Sequence, residues 1–345
     1  MATISIHASQ FPENVRHDLL ASLRARKINH KFHYDSVRQT QQWLALHQMY
    51  SPSRNDKNCR AMYENAFEAA AAKIKAKSVH VIGLGCGGGQ KDARLLKLLK
   101  AGGKDVFYTP CDVSAAMVLV ARQTALAVVP EENCFPLVCD LATANDLWEG
   151  CRVGDPNFLG TAARRPSQEI TRLITFFGMI PNFEPQLILP KLAALVRPKD
   201  FLLFSANLAP GKNYAAGVKT VLPQYDNPPT REWLLTFLLD VGIERGDGGL
   251  NFKIENGAGG LKRIVARFHF TRAVRFAIES EKFAFRRGDS LRLFFSYRYT
   301  PGLVRKNLSR HGLEVLDRWI TQPGEEGVFL CRRHGSSMKS APSAV

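Results

Sequence analysis

The sequence predicts an α/β protein centred on a doubly wound, mostly parallel sheet, joined to a second, composite α+β unit. Three observations predict it. Five short β-branched or aromatic runs between residues 79 and 208 alternate with segments of helical apolar spacing, the pattern of strand-helix-strand crossovers. The first run passes through a glycine-rich loop directly into a helix. The 345 residues, 45% hydrophobic and 23% charged, supply a core for one large domain or two ordinary ones and exclude a disordered chain or a fibre.

Residues 11–26, 34–49 and 53–77 carry apolar side chains at helical spacing with no interior glycine, so helices open the chain. At Val79 the texture changes to VHVIGL, a strand that ends in GLGCGGG before the helical pattern DARLLKLLK. The unit recurs as VFYTPCDV into SAAMVLVARQTA, FPLVCDL into ATANDLWEG, RLITFFG into EPQLILPKLAALV, and FLLFSANL. Residues 209–260 read as an insertion, punctuated by Pro and Gly around one helix, TREWLLTFLLDVG. Two long runs, 261–278 and 289–300, read as antiparallel strands with a turn near Arg287, Gly288 and Asp289. A helix over 301–310 follows, then strands VLDRWI and GVFLCRR that close the first sheet. The tail from His334 is small and polar and is expected to fray.

The seven cysteines (Cys59, Cys86, Cys111, Cys134, Cys139, Cys151 and Cys331) are odd in number, with no C-x-x-C and no Cys/His spacing of a zinc site. They read as reduced thiols, and no metal is expected. The first ten residues lack a basic and an apolar signal region, and no apolar run has the length of a membrane span; the expectation is a cytoplasmic protein. Lys and Arg number 47 against 31 Asp and Glu, a net +16, and residues 261–345 hold 17 cations against 7 acids, so 17 − 7 = +10 of the excess is C-terminal. Such a bias suits nucleic acid, but these cations are dispersed singly or in pairs, as on a solvated face.

The glycine loop is the chemical landmark. Glycines allow a sharp turn and close approach of a ligand, and the helix that follows offers unpaired N–H groups and a partial positive charge. A ribose would find an acidic acceptor in Asp112 at the second strand end, and an adenine would find an acceptor and an apolar slot in Asp140 and Leu141 at the third. Ser114 and Thr143 mark helix starts nearby, so each Asp is equally readable as a helix cap. The dinucleotide spacing G-x-G-x-x-G is absent, because Gln90 stands where its third glycine belongs, which sets a nucleotide-dependent oxidoreductase aside. The spacing Gly85-x-Gly87-x-Gly89 followed by Lys91 instead resembles motif I of Rossmann-like methyltransferases.

Further segments extend that likeness: KFHYDSV, MYSPSR, GLGCGGGQKDARLL, TPCDVS, VCDL, FFGMIPNFEP, QYDN, KRIVARF and FFSYRYT, in this order between residues 31 and 300. Together they resemble the histidine Nα-methyltransferase family of ergothioneine biosynthesis. The resemblance implies a substrate domain from residues 1–56 and 210–295, packed over an S-adenosylmethionine-binding domain from 57–209 and 296–335, with 336–345 a flexible tail. It implies that Gly83, Gly85, Gly87, Lys91, Asp112, Asp140 and Leu141 line the cofactor site. Tyr50, Asn182 and Tyr225 would hold the acceptor's amino-acid head group, with Tyr34 in the same pocket as a candidate base. Phenol and amide donors suit a carboxylate without placing a full charge beside the cationic sulfonium. Read without the resemblance, Tyr34 and Tyr50 are amphipathic core aromatics and Asn182 a turn residue.

The chain departs from the family at telling positions. Motif I ordinarily begins with an acidic residue that can hold the cofactor's amino group; here that place is Gly83. Histidine-specific members present a Glu and, two residues on, a Ser to the imidazole, where this chain has Phe294 and Ser296; a Met on the preceding strand is replaced by Ala266. A phenyl ring accepts nothing from an imidazole N–H, and a buried polar group without a partner costs about 1–3 kcal/mol. The expected acceptor is therefore an amino acid or amino-acid-derived small molecule with a bulkier or more apolar side chain than histidine. Phe294 as plain strand core is the bland counterpart. The rival functions are a methyltransferase acting on RNA or protein and a non-catalytic S-adenosylmethionine-binding protein.

Overall fold

The computed structural model describes residues 3–51, 55–144, 146 and 170–334. Its strands are β1 (Ser5–Ile6), β2 (Ser78–Leu84), β3 (Asp105–Asp112), β4 (Leu137–Val138), β5 (Ile170–Phe176), β6 (Phe201–Asn207), β7 (Gly248–Asn256), β8 (Lys262–Phe270), β9 (Val274–Ile278), β10 (Glu281–Phe285), β11 (Ser290–Arg298), β12 (Leu313–Ile320) and β13 (Glu326–Arg333). The helices are α1 (Pro12–Arg24), α2 (Val37–Tyr50), α3 (Lys57–Lys73), α4 (Gln90–Ala101), α5 (Ala115–Ala125), α6 (Pro185–Leu195), α7 (Tyr214–Thr220), α8 (Pro228–Asp240) and α9 (Pro301–Ser309).

Among the described residues the larger sheet has eight strands in the order β1-β4-β3-β2-β5-β6-β13-β12. Strands β1 to β6 run parallel, and β13 and β12 add antiparallel at one edge, closing the sheet as the sequence implied. Central β2 is buried along its whole length. Val79 and Val81 face α3 and α4 through Tyr63, Phe67 and Leu95, while Ile82 and Leu84 face α6 and α9 through Ile188, Leu192 and Leu308. Each such aliphatic side chain contributes about 1.5–3 kcal/mol by burial. Because β2 is flanked by β3 on one side and β5 on the other, the strand order reverses there, and a crevice opens beyond its carboxyl end.

A second sheet, β11-β8-β7, packs on α1 and α8 around Leu23, Phe32, Trp233, Phe237, Phe268 and Leu293. Here the structure corrects the sequence reading. The run 261–278 is two strands, because at the break Thr271 N–H donates to the Asp247 carbonyl (2.9 Å) and Arg272 to the Asp247 carboxylate (2.5 Å), pulling the chain out of the sheet. Strand β9 then pairs with β10 in a separate hairpin whose turn holds Glu279 at φ 51°. Within the expected insertion lies β7, whose Leu250 and Phe252 alternate with exposed Asn251 and Lys253. The turn at 286–289 is present, with Gly288 at φ 89°. Most of the helix expected after Leu141 and all of the tail from 336 lie outside the described residues. No helix among the described residues is long and apolar enough to cross a membrane.

Candidate active site

A cavity of about 320 Å³ opens in the crevice beyond β2. Its floor is the glycine loop and the ends of β5 and β6, at Thr175 and Asn207; Glu326 at the start of β13 adds a further wall. Residues of α2 and the segment before it cover it, with Tyr34, Trp43, His47 and Tyr50 along the wall. A capping box fixes where α2 begins, with Ser36 and Gln39 each bonding the other's backbone N–H.

The loop's shape depends on glycine. Gly85, Gly87 and Gly89 have φ of +59°, +52° and +73°. A Cβ on Gly85 would lie 2.5 Å from Met179 Cγ, and one on Gly87 3.1 Å from Trp43 Cη2. Side chains there would both strain the backbone and fill the cradle. Asp112 braces the loop: its carboxylate accepts from Gly87 N–H (3.0 Å) and Ser114 N–H (3.1 Å). Burial pushes its carboxyl up, and these backbone donors oppose that shift.

Of the residues the sequence singled out, Tyr34, Tyr50, Gly85, Gly87, Lys91, Asn182 and Tyr225 meet at this cavity. The others stand back from its lining. Gly83 is buried inside β2. Asp140 is 2% exposed, accepts from Ala142 N–H (2.8 Å) and faces Lys31 Nζ at 3.1 Å, while Leu141 packs into the core below β4. Each aspartate accepts one local N–H, from Ser114 and from Ala142, while the N-cap of α5 is Ser114 itself. Ala266, Phe294 and Ser296 form a layer behind Tyr225: Phe294 pairs with Ala266 across the strands, its ring lies 6.1 Å from those of Tyr225 and Trp233, and Ser296 Oγ is 3.0 Å from the Tyr225 hydroxyl.

Tyr225 is held from several sides. Its hydroxyl accepts from Asn207 Nδ2 (3.2 Å) and from the Arg298 guanidinium (2.8 Å), which is itself 4% exposed. The shell behind the expected head-group site therefore contains a buried cation, where the sequence suggested neutral donors alone. Asn182 sits in the turn after β5, and among the described residues its side-chain amide has no protein partner. Burial, reinforced by the Asp112 charge, pushes the Tyr34 phenol well up, so it is a protonated donor at neutral pH.

Lys91 Nζ donates to the Tyr63 hydroxyl (3.1 Å) and lies over its ring at 4.5 Å; Tyr63 in turn donates to Glu326. Burial pulls the Lys91 ammonium down, opposed by Glu326. Asp92, Asn207, Glu326, Trp43 and Arg298 were not singled out from the sequence. Asn207 was accessible to the strand-end rule that found Asp112; Glu326 starts an antiparallel strand, where that rule does not apply.

The profile of a family described as histidine-specific, S-adenosylmethionine-dependent methyltransferases matches residues 15–233 and 258–333. No curated protein matches the chain. Among solved structures, an S-adenosylmethionine-dependent methyltransferase from Clostridium acetobutylicum ATCC 824 is 10% identical with a TM-score of 0.43, covering 86% of this chain and 99% of that one. The CcbJ methyltransferase from Streptomyces caelestis is 13% identical (TM-score 0.39; 79% and 89% covered), and RosA, an N,N-8-amino-8-demethyl-D-riboflavin dimethyltransferase from Streptomyces davawensis, is 11% identical (TM-score 0.41; 93% and 70% covered). Likenesses this distant carry no argument about substrate.

Proposed function

The chain belongs to the histidine-specific, S-adenosylmethionine-dependent methyltransferase family, and from that premise we propose that it methylates the amino nitrogen of an amino acid or amino-acid-derived small molecule. The observation that carries this reading is the gathering of Asn182, Asn207 and Tyr225 on the cavity that also holds the Gly85–Gly87 cradle. Amide and phenol donors backed by the Arg298 cation suit a carboxylate. The cradle, closed to any Cβ and bordered by Lys91 and Asp92, fits the slender amino-acid end of S-adenosylmethionine.

S-adenosylmethionine supplies an electrophilic methyl group on a sulfonium. The chain's own contribution is positioning and exclusion of water. Residues 57–209 with 296–335 seat the cofactor, and residues 1–56 with 210–295 seat the acceptor. Asn182 and Tyr225 fix the acceptor carboxylate and so aim its amino nitrogen. Tyr34, Trp43 and Tyr50 wall the cavity with aromatic surface. Tyr34 donates as a neutral phenol, because its raised pKa opposes the role of base first expected of it. Phe294 and Ala266, behind Tyr225 and Trp233, shape the acceptor end toward a side chain bulkier or more apolar than that of histidine.

Part of the C-terminal basic excess is engaged within the fold, which reduces what it could offer to RNA. Arg263 and Arg267 pair with Glu255, Arg272 with Glu244 and Asp247, and Arg332 with Glu314, while Arg298 is buried. Paired or buried arginines offer little to a phosphate backbone. The test is kinetic: Asn182→Ala and Tyr225→Phe should each raise the acceptor KM about tenfold while S-adenosylhomocysteine binds as before. Unchanged KM and kcat in both variants would overturn the head-group assignment.

A further inference from the structure

The amino-acid end of S-adenosylmethionine carries an ammonium as well as a carboxylate, and a cation drawn into an enclosed cavity needs an anion or a full set of acceptors. Two carboxylates line this cavity, Asp92 and Glu326. Asp112 and Asp140 are turned to backbone donors and to Lys31.

Asp92 belongs to the first turn of α4, immediately past the glycine loop. Its carboxylate reaches back over β2 and occupies the space that a side chain on residue 83 would fill: a Cβ on Gly83 would lie 2.2 Å from Asp92 Oδ2 and 3.2 Å from its Cγ. Gly83 has no left-handed backbone angle, so the absence of its side chain serves space and not conformation. The Asp92 group is 3% exposed and held by two hydroxyls, Tyr108 donating to Oδ2 and Thr175 to Oδ1, both at 2.8 Å. Among the described residues it has no salt-bridge partner; neighbouring Lys91 donates to Tyr63 instead. Each carboxylate oxygen keeps a further acceptor site. A fixed, buried anion with no cation of its own stands beside the cradle that takes the cofactor's amino-acid end.

We propose that Asp92 is the residue that holds the ammonium of S-adenosylmethionine, delivered from helix α4 into the space left open by Gly83. The inference rests on the Gly85–Gly87 loop being the cofactor's seat. Glu326 is the poorer candidate, because it is already linked to the Lys91 ammonium through Tyr63 and lies across the sheet beside Asn207, on the acceptor side.

The experiment is a calorimetric titration of two ligands into the full chain and its variants: S-adenosylhomocysteine, which carries the ammonium, and 5′-methylthioadenosine, which lacks the amino-acid end. In Asp92→Asn the first should lose affinity about tenfold or more and the second should bind unchanged. Equal affinity of S-adenosylhomocysteine for both proteins, or equal losses for both ligands, would overturn the assignment; so would a loss confined to Glu326→Gln. Should Asp92→Asn fail to fold, Asp92→Ser takes its place, with the loss again expected for S-adenosylhomocysteine alone. Failure of the wild-type protein to bind S-adenosylhomocysteine at all would remove the cofactor seat itself, and the inference with it. The exchange Gly83→Asp with Asp92→Thr returns the acid to the strand and should recover most of the lost affinity, which a merely structural Asp92 would not permit.

Discussion

The Arg298 guanidinium donates to the Tyr225 hydroxyl at 2.8 Å and stacks its charge 5.1 Å from the ring centroid. Arg298 also donates to the Leu208 carbonyl at 3.1 Å, which fixes its position at the end of β11. With N–H groups of Arg298 and Asn207 directed at its oxygen, Tyr225 is left to give away its own proton, to Ser296 Oγ or to a bound carboxylate.

On the proposed head-group assignment, Arg298 is a positioning residue for the acceptor. Arg298→Met should raise the acceptor KM by tenfold or more, since hydrogen bonds to charged groups contribute about 1.5–3 kcal/mol. Its S-adenosylhomocysteine affinity should remain that of the wild type, and Arg298→Lys should recover part of the loss. A fall in thermal stability with KM unmoved would make the arginine structural only.

Asp92 predicts a stability effect of opposite sign to its binding effect. Burial raises its carboxyl from 3.8 to about 6, against the pull of Thr175, Tyr108 and Lys91. Cys86 is the other titratable group facing it. A raised acid favours the fold while protonated, so its contribution is full below the unfolded value near 4 and lost as pH rises through about 6. The neutral Asp92→Asn should therefore gain up to about 3 kcal/mol on the wild type at pH 8, and progressively less toward pH 5. The partner hydroxyls accept as readily as they donate, so the amide is accommodated. Denaturant unfolding at both pH values measures it; a variant less stable at pH 8 would contradict the assignment of an uncompensated charge.

Gly89 separates loop architecture from binding. Its Cβ would meet the Cα of Ala121 in α5 at 2.8 Å, with φ already at +73°. Gly89→Ala should cost about 1–3 kcal/mol of stability through that backbone clash and strain, read by denaturant midpoint. A neutral result would mean that α4 and α5 shift freely at their contact.

Phe294→Glu tests the side-chain reading. Phe294 shares a face of β11 with Ser296, which reaches the Tyr225 hydroxyl. A carboxylate there would be directed at the same layer, and turnover of histidine relative to aromatic amino acids should rise at least tenfold. No change in that ratio would make Phe294 simple core.

Much of the cofactor side was legible because strand-loop-helix texture and glycine spacing are local signals. β2, its loop and α4 stand where the sequence placed them, and β12 and β13 close the sheet. What escaped notice depends on tertiary geometry. Asp92 was one unremarked residue of the helical pattern DARLLKLLK; only β2, by bringing Gly83 under it, shows its place. Arg298 read as one more cation of a basic segment, yet β11 buries it behind Tyr225. β7 was hidden by its glycines, although its period of two was present, and the break at Thr271–Ala273 is set by Asp247, far along the chain.

The most direct test of the central claim is a methyl-transfer assay with S-adenosylmethionine, read by product mass, over free amino acids, modified tryptophans and short peptides, each beside its N-acetylated form. Methylated products are expected from free amino compounds with side chains bulkier or more apolar than histidine, and none from their N-acetylated forms. Methylation confined to RNA or protein acceptors, or equal methylation of free and N-acetylated compounds, would contradict that claim.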